Sequence, residues 1–437
     1  MSDGFTIRAT IHQTPSPDEH QVLADHLIEV DGDGRIATIR PAAGDDHRVD
    51  VHLPAGTVLL PGLIDTHLHA PQWPQLATAL DRPLEEWLFD HTFPLEARFA
   101  DLDFAERVWD AMVPALLRGG TTTAVYHASI HEDATTALAR ACHRHGQRAF
   151  VGRVAMDHPT GTPEWYRDAD ADASVAASRA SIDAIRSLDG RAGLVEPIVT
   201  PRFIPACSDD ALHGLGELAE QTGTLVQTHC SESDWEHGDV IARHGVTDTR
   251  SLERLGLLRA HTVLAHATHL TDDDAVAIIS SGAGVAHCPL SNDYFSQRVF
   301  AARAHIDAGM RVGLGTDVAG GAEPSMLRQC AHAVTSSRRR DDPIDIVTAF
   351  WMATLGGAEL LGIDAGLLAP GRVFDAVAVD LDAVGVWPDI DDDARTFEKI
   401  VRRGSDGIVA VWVDGVAVVS GAAVSPDRAP GSDTRSA

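Results

Sequence analysis

Leu59-Leu60-Pro61-Gly62-Leu63-Ile64-Asp65-Thr66-His67-Leu68-His69 is the stretch on which the reading of this chain turns. It opens as an apolar strand and closes on two histidines. Side chains at i and i+2 of a strand share a face. His67 and His69 therefore project together, with Leu68 turned the other way. Two imidazoles side by side at a strand's C-terminal end are placed to share one metal ion. The plain alternative is a chance pair in a chain with 23 histidines. Facing a packed interior, such a pair would need other polar partners.

Outward from this stretch, apolar strands alternate with helical patterns. Strands are predicted at 58–67, 121–126, 149–156, 194–200, 224–229, 262–266, 284–288 and 311–317, with helices between them such as 104–117, 171–188, 209–221 and 272–280. Eight parallel strands with crossover helices make a (β/α)₈ barrel of the TIM type, an α/β fold whose chemistry sits at the strands' C-terminal ends. No internal repeat points to a solenoid.

The ends of the chain read differently. Residues 26–30 and 35–40 flank Asp31-Gly32-Asp33-Gly34, a hairpin turn. β character returns at 374–380, 408–413 and 416–420, where Asp414-Gly415 is a strong two-residue hairpin signal. Residues 1–57 and 365–423 are thus expected to form one small β domain beside a catalytic barrel of 58–364. Residues 424–437, polar with Pro and Gly, are expected to be a disordered tail.

The strand ends carry the chemistry. The first gives His67 and His69, the fifth His229, the sixth His266 and the eighth Asp317. Five metal-competent side chains on four strand ends are hard to assign to chance. Three imidazoles and one carboxylate can hold a divalent ion and leave a position for water, the pattern of a catalytic metal.

Composition narrows the partners. The formal charge is −29 and Lys399 is the only lysine. Such a surface repels nucleic acid and anionic membranes. There is no run of 18 apolar residues, and Met1-Ser2-Asp3-Gly4 carries no basic stretch, which argues against a membrane span and a secretory signal. Cys142, Cys207, Cys230, Cys288 and Cys330 are odd in number and scattered, as in a cytoplasmic protein with reduced thiols.

The stretch from Pro61 to His69 resembles the first-strand motif of the amidohydrolase superfamily. That resemblance implies a metal-bearing barrel with a small β-sandwich built from both chain ends. Within the superfamily the chain is similar to the guanine deaminase branch. The similarity rests on His69-Ala70-Pro71-Gln72, Glu86-Trp87-Leu88, Thr92-Phe93-Pro94, Gly120-Thr121-Thr122-Thr123 and Phe150-Val151-Gly152. It continues through Pro197-Ile198-Val199-Thr200-Pro201-Arg202-Phe203, His229-Cys230-Ser231-Glu232, His287-Cys288-Pro289 and the run from Gly315 to Gly321. It departs at Asp293-Tyr294-Phe295-Ser296. Some members hold two metals through a carboxylated lysine on the fourth strand. Lys399 lies too far along the chain to serve, so one ion is expected, zinc or iron(II).

The resemblance implies hydrolytic deamination of guanine to xanthine and ammonia, and a homodimer is expected. Deaminases of 8-oxoguanine, pterins or triazines are same-class rivals; a silent barrel serving as a binding module is the rival from another class. The metal ligands are expected to be His67, His69, His229 and Asp317. Asp317 can also accept a proton from the attacking water. His266 lies beside the ion, as a polarising neighbour or a further ligand. Glu232, three residues past His229, is the expected general acid and base; otherwise it is a solvated loop glutamate. Arg202, a donor-only fork, suits the O6 carbonyl, or else it pairs with a carboxylate. Gln72 suits a purine edge, and Phe203 either stacks on the base or packs. Trp73 has no assigned role. Gly320-Gly321 reads as backbone room near the site rather than a phosphate loop.

Overall fold

A computed structural model describes residues 4–43 and 49–420, and the backbone of 423–424. Eight parallel strands follow one another around a single sheet. They are β1 (Leu63–His69), β2 (Thr121–His127), β3 (Arg148–Gly152), β4 (Val195–Pro201), β5 (Leu225–Cys230), β6 (Val263–His266), β7 (Gly284–His287) and β8 (Arg311–Leu314). The ring closes where the last strand meets the first. Asp317 N–H donates to the His67 carbonyl at 2.9 Å, and His69 N–H to the Val318 carbonyl at 2.9 Å. The expected (β/α)₈ barrel is therefore the fold.

The expected helices form as Leu102–Arg118, Ala171–Arg186, Asp209–Thr222 and Asp272–Ser281. Each begins at a side chain that accepts an orphan amide of its first turn. Asp101, Asp170, Ser208 and Thr271 accept from Phe104, Ala173, Ala211 and Asp274, each cap worth about 1 kcal/mol.

The first predicted strand divides in two. Thr57–Pro61 belongs to a mixed sheet, and the barrel strand starts only at Leu63. Gly62 makes the break. Its N–H donates to the Asp375 carbonyl at 2.8 Å, and a side chain there would run into Thr122. The predicted strand 149–156 is likewise interrupted at Arg153, whose guanidinium turns to Asp168.

The mixed sheet has nine strands drawn from both ends of the chain. Its main order is Val416–Val419, Ile408–Val413, Ala376–Asp380, Thr57–Pro61, Phe5–Ser16, Glu19–Val30 and Ile36–Pro41. Strand alternation sorts its two faces. Leu59, Ala376 and Trp412 pack with Ile7 and Ile28 on one side, while Leu60, Val377 and Val411 join the barrel-side core on the other. Asp414 and Gly415 take φ of 47° and 73° at the last hairpin, as a two-residue turn of this kind requires. Val424 pairs with Val51, and the rest of the expected tail, 425–437, lies outside the described residues. Among the described residues, no helix is long and apolar enough to cross a membrane.

Candidate active site

The barrel's closure brings the predicted side chains to one rim. His67 and His69 come from β1, His229 from β5 and His266 from the last position of β6; Asp317 follows β8. All five are buried. Among the described residues, ligating atoms of His67, His229, His266 and Asp317 lie within 4.8 Å of one another. His69 Nε2 is 3.0 Å from His229 Nε2 and 3.5 Å from Asp317 Oδ1. His67 Nε2 lies 3.1 Å from Asp317 Oδ1 without hydrogen-bond geometry. Buried nitrogen and oxygen donors brought this close are spaced as ligands of one ion.

Neighbouring groups fix two of the rings. His229 Nδ1 is 2.6 Å from the Arg202 carbonyl, an acceptor only, so Nδ1 carries the proton and Nε2 keeps its lone pair. His266 Nδ1 lies 2.8 Å from Asn292 Oδ1 in the same manner. Burial holds His67, His69, His229 and His266 below the ordinary imidazole pKa, in the neutral form that binds metal. The donor set fits a divalent ion.

Asp65 locks the rim from below. Its carboxylate accepts the Thr316 amide at 3.0 Å and hydroxyl at 2.5 Å, fixing Asp317 against His67. Ser231, His266 and Asp317 take φ of 49°, 71° and 49°. Such left-handed turns at non-glycine residues cost about 1–3 kcal/mol each and turn the backbone sharply out of the strand. Gly320 makes the room expected of it, since a Cβ there would come within 2.5 Å of Asp317 Oδ2.

Two carboxyl groups of opposite tendency face the ion site. Burial, then the nearby Asp317 charge, raises Glu232 well above the usual carboxylate pKa. Burial also works to raise Asp317, but the close approach of the His67 ring, with a smaller electrostatic contribution from the His266 side, overrides it and favours the ionised carboxylate. His266 Nε2 and Glu232 Oε2 are 3.7 Å apart; with both groups pushed toward neutrality, this is not an ion pair. Paired groups whose pKa values are driven apart can divide acid and base work.

Above the cluster lies a pocket walled by His69, Gln72, Arg202, Phe203, Glu232 and Asp317, and on its other side by Leu84, Trp87, Leu88 and Phe295. Arg202 realises the carboxylate pairing that the sequence left open. Its guanidinium meets Glu96 at 2.6 and 3.0 Å while still lining the cavity. Gln72 donates to Glu96 Oε1 at 3.0 Å and accepts the Ala319 amide at 3.0 Å. Each therefore keeps donor capacity for a ligand after meeting the protein. Phe203 is buried beside Trp235 and His229. Trp73 packs instead on the core around Phe99 and Trp109. The divergent segment at 293–296 supplies a wall: Phe295 lies 5.1 Å from Trp87, and Asp293 is anchored to His332 and Arg339. Lys399 is tied to Asp391, outside the cavity walls.

Residues 58–418 match the model of the amidohydrolase family. The chain belongs to the amidohydrolase family. A guanine deaminase of Dictyostelium discoideum is 37% identical over 332 residues, 74% of this chain and 73% of the relative. The guanine deaminase of Homo sapiens is 33% identical over 426 residues, 91% of this chain and 93% of the relative. Among solved structures, guanine deaminase from C. acetobutylicum with bound guanine superposes with a TM-score of 0.87 at 27% identity, covering 95% of this chain and all of that one. In this amidohydrolase two residues at the site escaped the sequence reading. Glu96 sits on a short helix with no spacing signal to mark it. His127 ends β2 one position beyond the predicted strand, and its place at a strand end was a usable signal.

Proposed function

We propose that this amidohydrolase is a guanine deaminase, converting guanine and water to xanthine and ammonia. The observation that carries the reading is the cavity itself: Arg202 and Gln72 on one wall, Glu232 and Asp317 beside the imidazole cluster on its floor. The near full-length similarity to guanine deaminases agrees with it. Zinc is the proposed ion, since imidazole and carboxylate donors suit it. When bound, such an ion lowers the pKa of water to roughly 7 and so supplies a nucleophile.

The chain's own groups do the rest. Arg202 donates to O6 and Gln72 steadies the purine edge, with the ring held beside Phe203. Asp317, held ionised, takes the proton released as water adds to C2. Glu232, held protonated, gives its proton to a ring nitrogen and takes one back from the new C2 hydroxyl, while the proton held by Asp317 goes to the departing amine. The C2–N bond breaks and ammonia leaves. Five buried, unpaired cysteines support a reducing, cytoplasmic setting.

The experiment is ammonia release from purified protein offered guanine, 8-oxoguanine, a pterin, an amino-triazine and adenine. Guanine should give the highest kcat/KM. Turnover of a pterin or triazine in preference to guanine would overturn the assignment.

A further inference from the structure

His127 has no part in the reaction described above, yet it stands inside the imidazole cluster. It ends β2 and is the register partner of His69 on β1. Its side chain is fully buried, and neither ring nitrogen has a hydrogen-bond partner among the described residues. A neutral imidazole carries one N–H and one lone pair, and each costs about 1–3 kcal/mol when buried unmet. An apolar side chain would fill this position without that cost.

The ring spacing shows what could satisfy it. The His127 ring centre is 4.7 Å from that of His67, 4.8 Å from His69 and 4.9 Å from His229. Those three lie 5.0, 4.8 and 5.0 Å from one another. The four rings thus mark the corners of a near-regular tetrahedron. An imidazole nitrogen binds zinc at about 2.0–2.1 Å, which puts its ring centre roughly 3.2 Å from the ion; four rings so placed stand roughly 5 Å apart. His266 is set back, 5.4 Å from both His67 and His229.

We propose that His127 is a further metal ligand, the fourth imidazole of a cage with His67, His69 and His229. Asp317 Oδ1, 3.1 Å from His67 Nε2 and 3.5 Å from His69 Nε2, would be a further donor to the same ion. His127 arises from β2, so β1, β2 and β5 would together bind the ion. The proposal concerns the ion alone and stands whichever ring is deaminated.

X-ray absorption on zinc-loaded wild type counts the coordinating imidazoles. Four are expected, falling to three in His127→Phe. A competing chelator should show zinc dissociation at least tenfold weaker in that variant, with an unchanged circular dichroism spectrum. Three or fewer imidazoles in the wild type would overturn the proposal, as would a folded His127→Phe with wild-type zinc affinity. If His127→Phe does not fold, His266→Phe decides: its count should stay at four, and a fall to three would give the fourth place to His266 and overturn the proposal.

Discussion

Arg202 and Glu96 meet as a buried two-point ion pair, at 2.6 and 3.0 Å, in the wall of the cavity above the imidazole cluster. Glu96 also accepts from Gln72, so one carboxylate sets the position of both polar groups assigned to the base. Phe93 closes the far side, its ring centre 4.8 Å from the Arg202 guanidinium carbon.

Removing either partner leaves the other charge buried. Arg202→Ala is expected to lower stability by about 3–5 kcal/mol and kcat/KM on guanine by ~10–10³, the loss of a charged hydrogen bond or more. Glu96→Ala should reproduce the stability loss and mobilise Arg202 and Gln72. Lysine at 202 should rescue only in part, because it lacks the planar fork. Adenine, with an amine where guanine has O6, should be a poorer substrate for the wild type by ~10⁴–10⁵. Thermal melts with steady-state kinetics on both bases check this. An Arg202→Ala enzyme as fast on guanine as the wild type would reduce Arg202 to a structural ion.

Glutamine at 232 keeps the shape of the side chain and removes its acid. Glu232→Gln should bind metal normally and lose ~10²–10⁴ in kcat, the usual worth of a general acid and base. Near-normal turnover in this variant would move proton transfer to Asp317 or His266.

Elemental analysis should find close to one divalent ion per chain. His67→Ala should lose most of it, since His67 lies within 5.0 Å ring distance of His69, His127 and His229. Two equivalents in the wild type, or full occupancy in the variant, would contradict a single shared site.

A pH effect is expected far from the reaction. His12 is buried, lies 3.1 Å from His20 and is stacked with Phe397. Burial, with repulsion from His20, lowers its pKa from 6.5 to about 4, against some opposition from Asp393. In the unfolded chain the ring gains a proton as pH falls through 6.5; in the folded chain it resists until about 4. Stability is therefore full above 6.5 and declines toward pH 4, by up to about 3 kcal/mol from this group. Melting temperatures of wild type and His12→Phe between pH 7 and 4 should diverge, the variant falling less. Parallel curves would remove His12 as the source.

Much of this site was legible because strands have a short period. His67 and His69 share a face at any register, and His229, His266 and Asp317 each follow an apolar run that ends where the barrel opens. Glu96 was silent for the opposite reason. It reaches Arg202 across 106 residues of chain from a short helix, and no local pattern encodes that meeting. His127 was missed by a boundary: ending the strand at Tyr126 removed from view the one residue that marks the rim. Gly62 shows the same limit in the fold, since the run from 58 to 67 reads as one strand but is divided between two sheets at Gly62, where only a residue without a side chain can pass Thr122.

The strand Thr57–Pro61 has consequences for biosynthesis. One of its edges is met early, by Phe5–Ser16, but the other pairs with Ala376–Asp380. At about 5–20 residues per second, a ribosome needs roughly 15–65 s to reach the second partner. Throughout that interval the nascent chain presents an unpaired apolar strand edge, open to the wrong neighbour. Yield in the cell should accordingly depend on holding factors that act before the last seventy residues emerge.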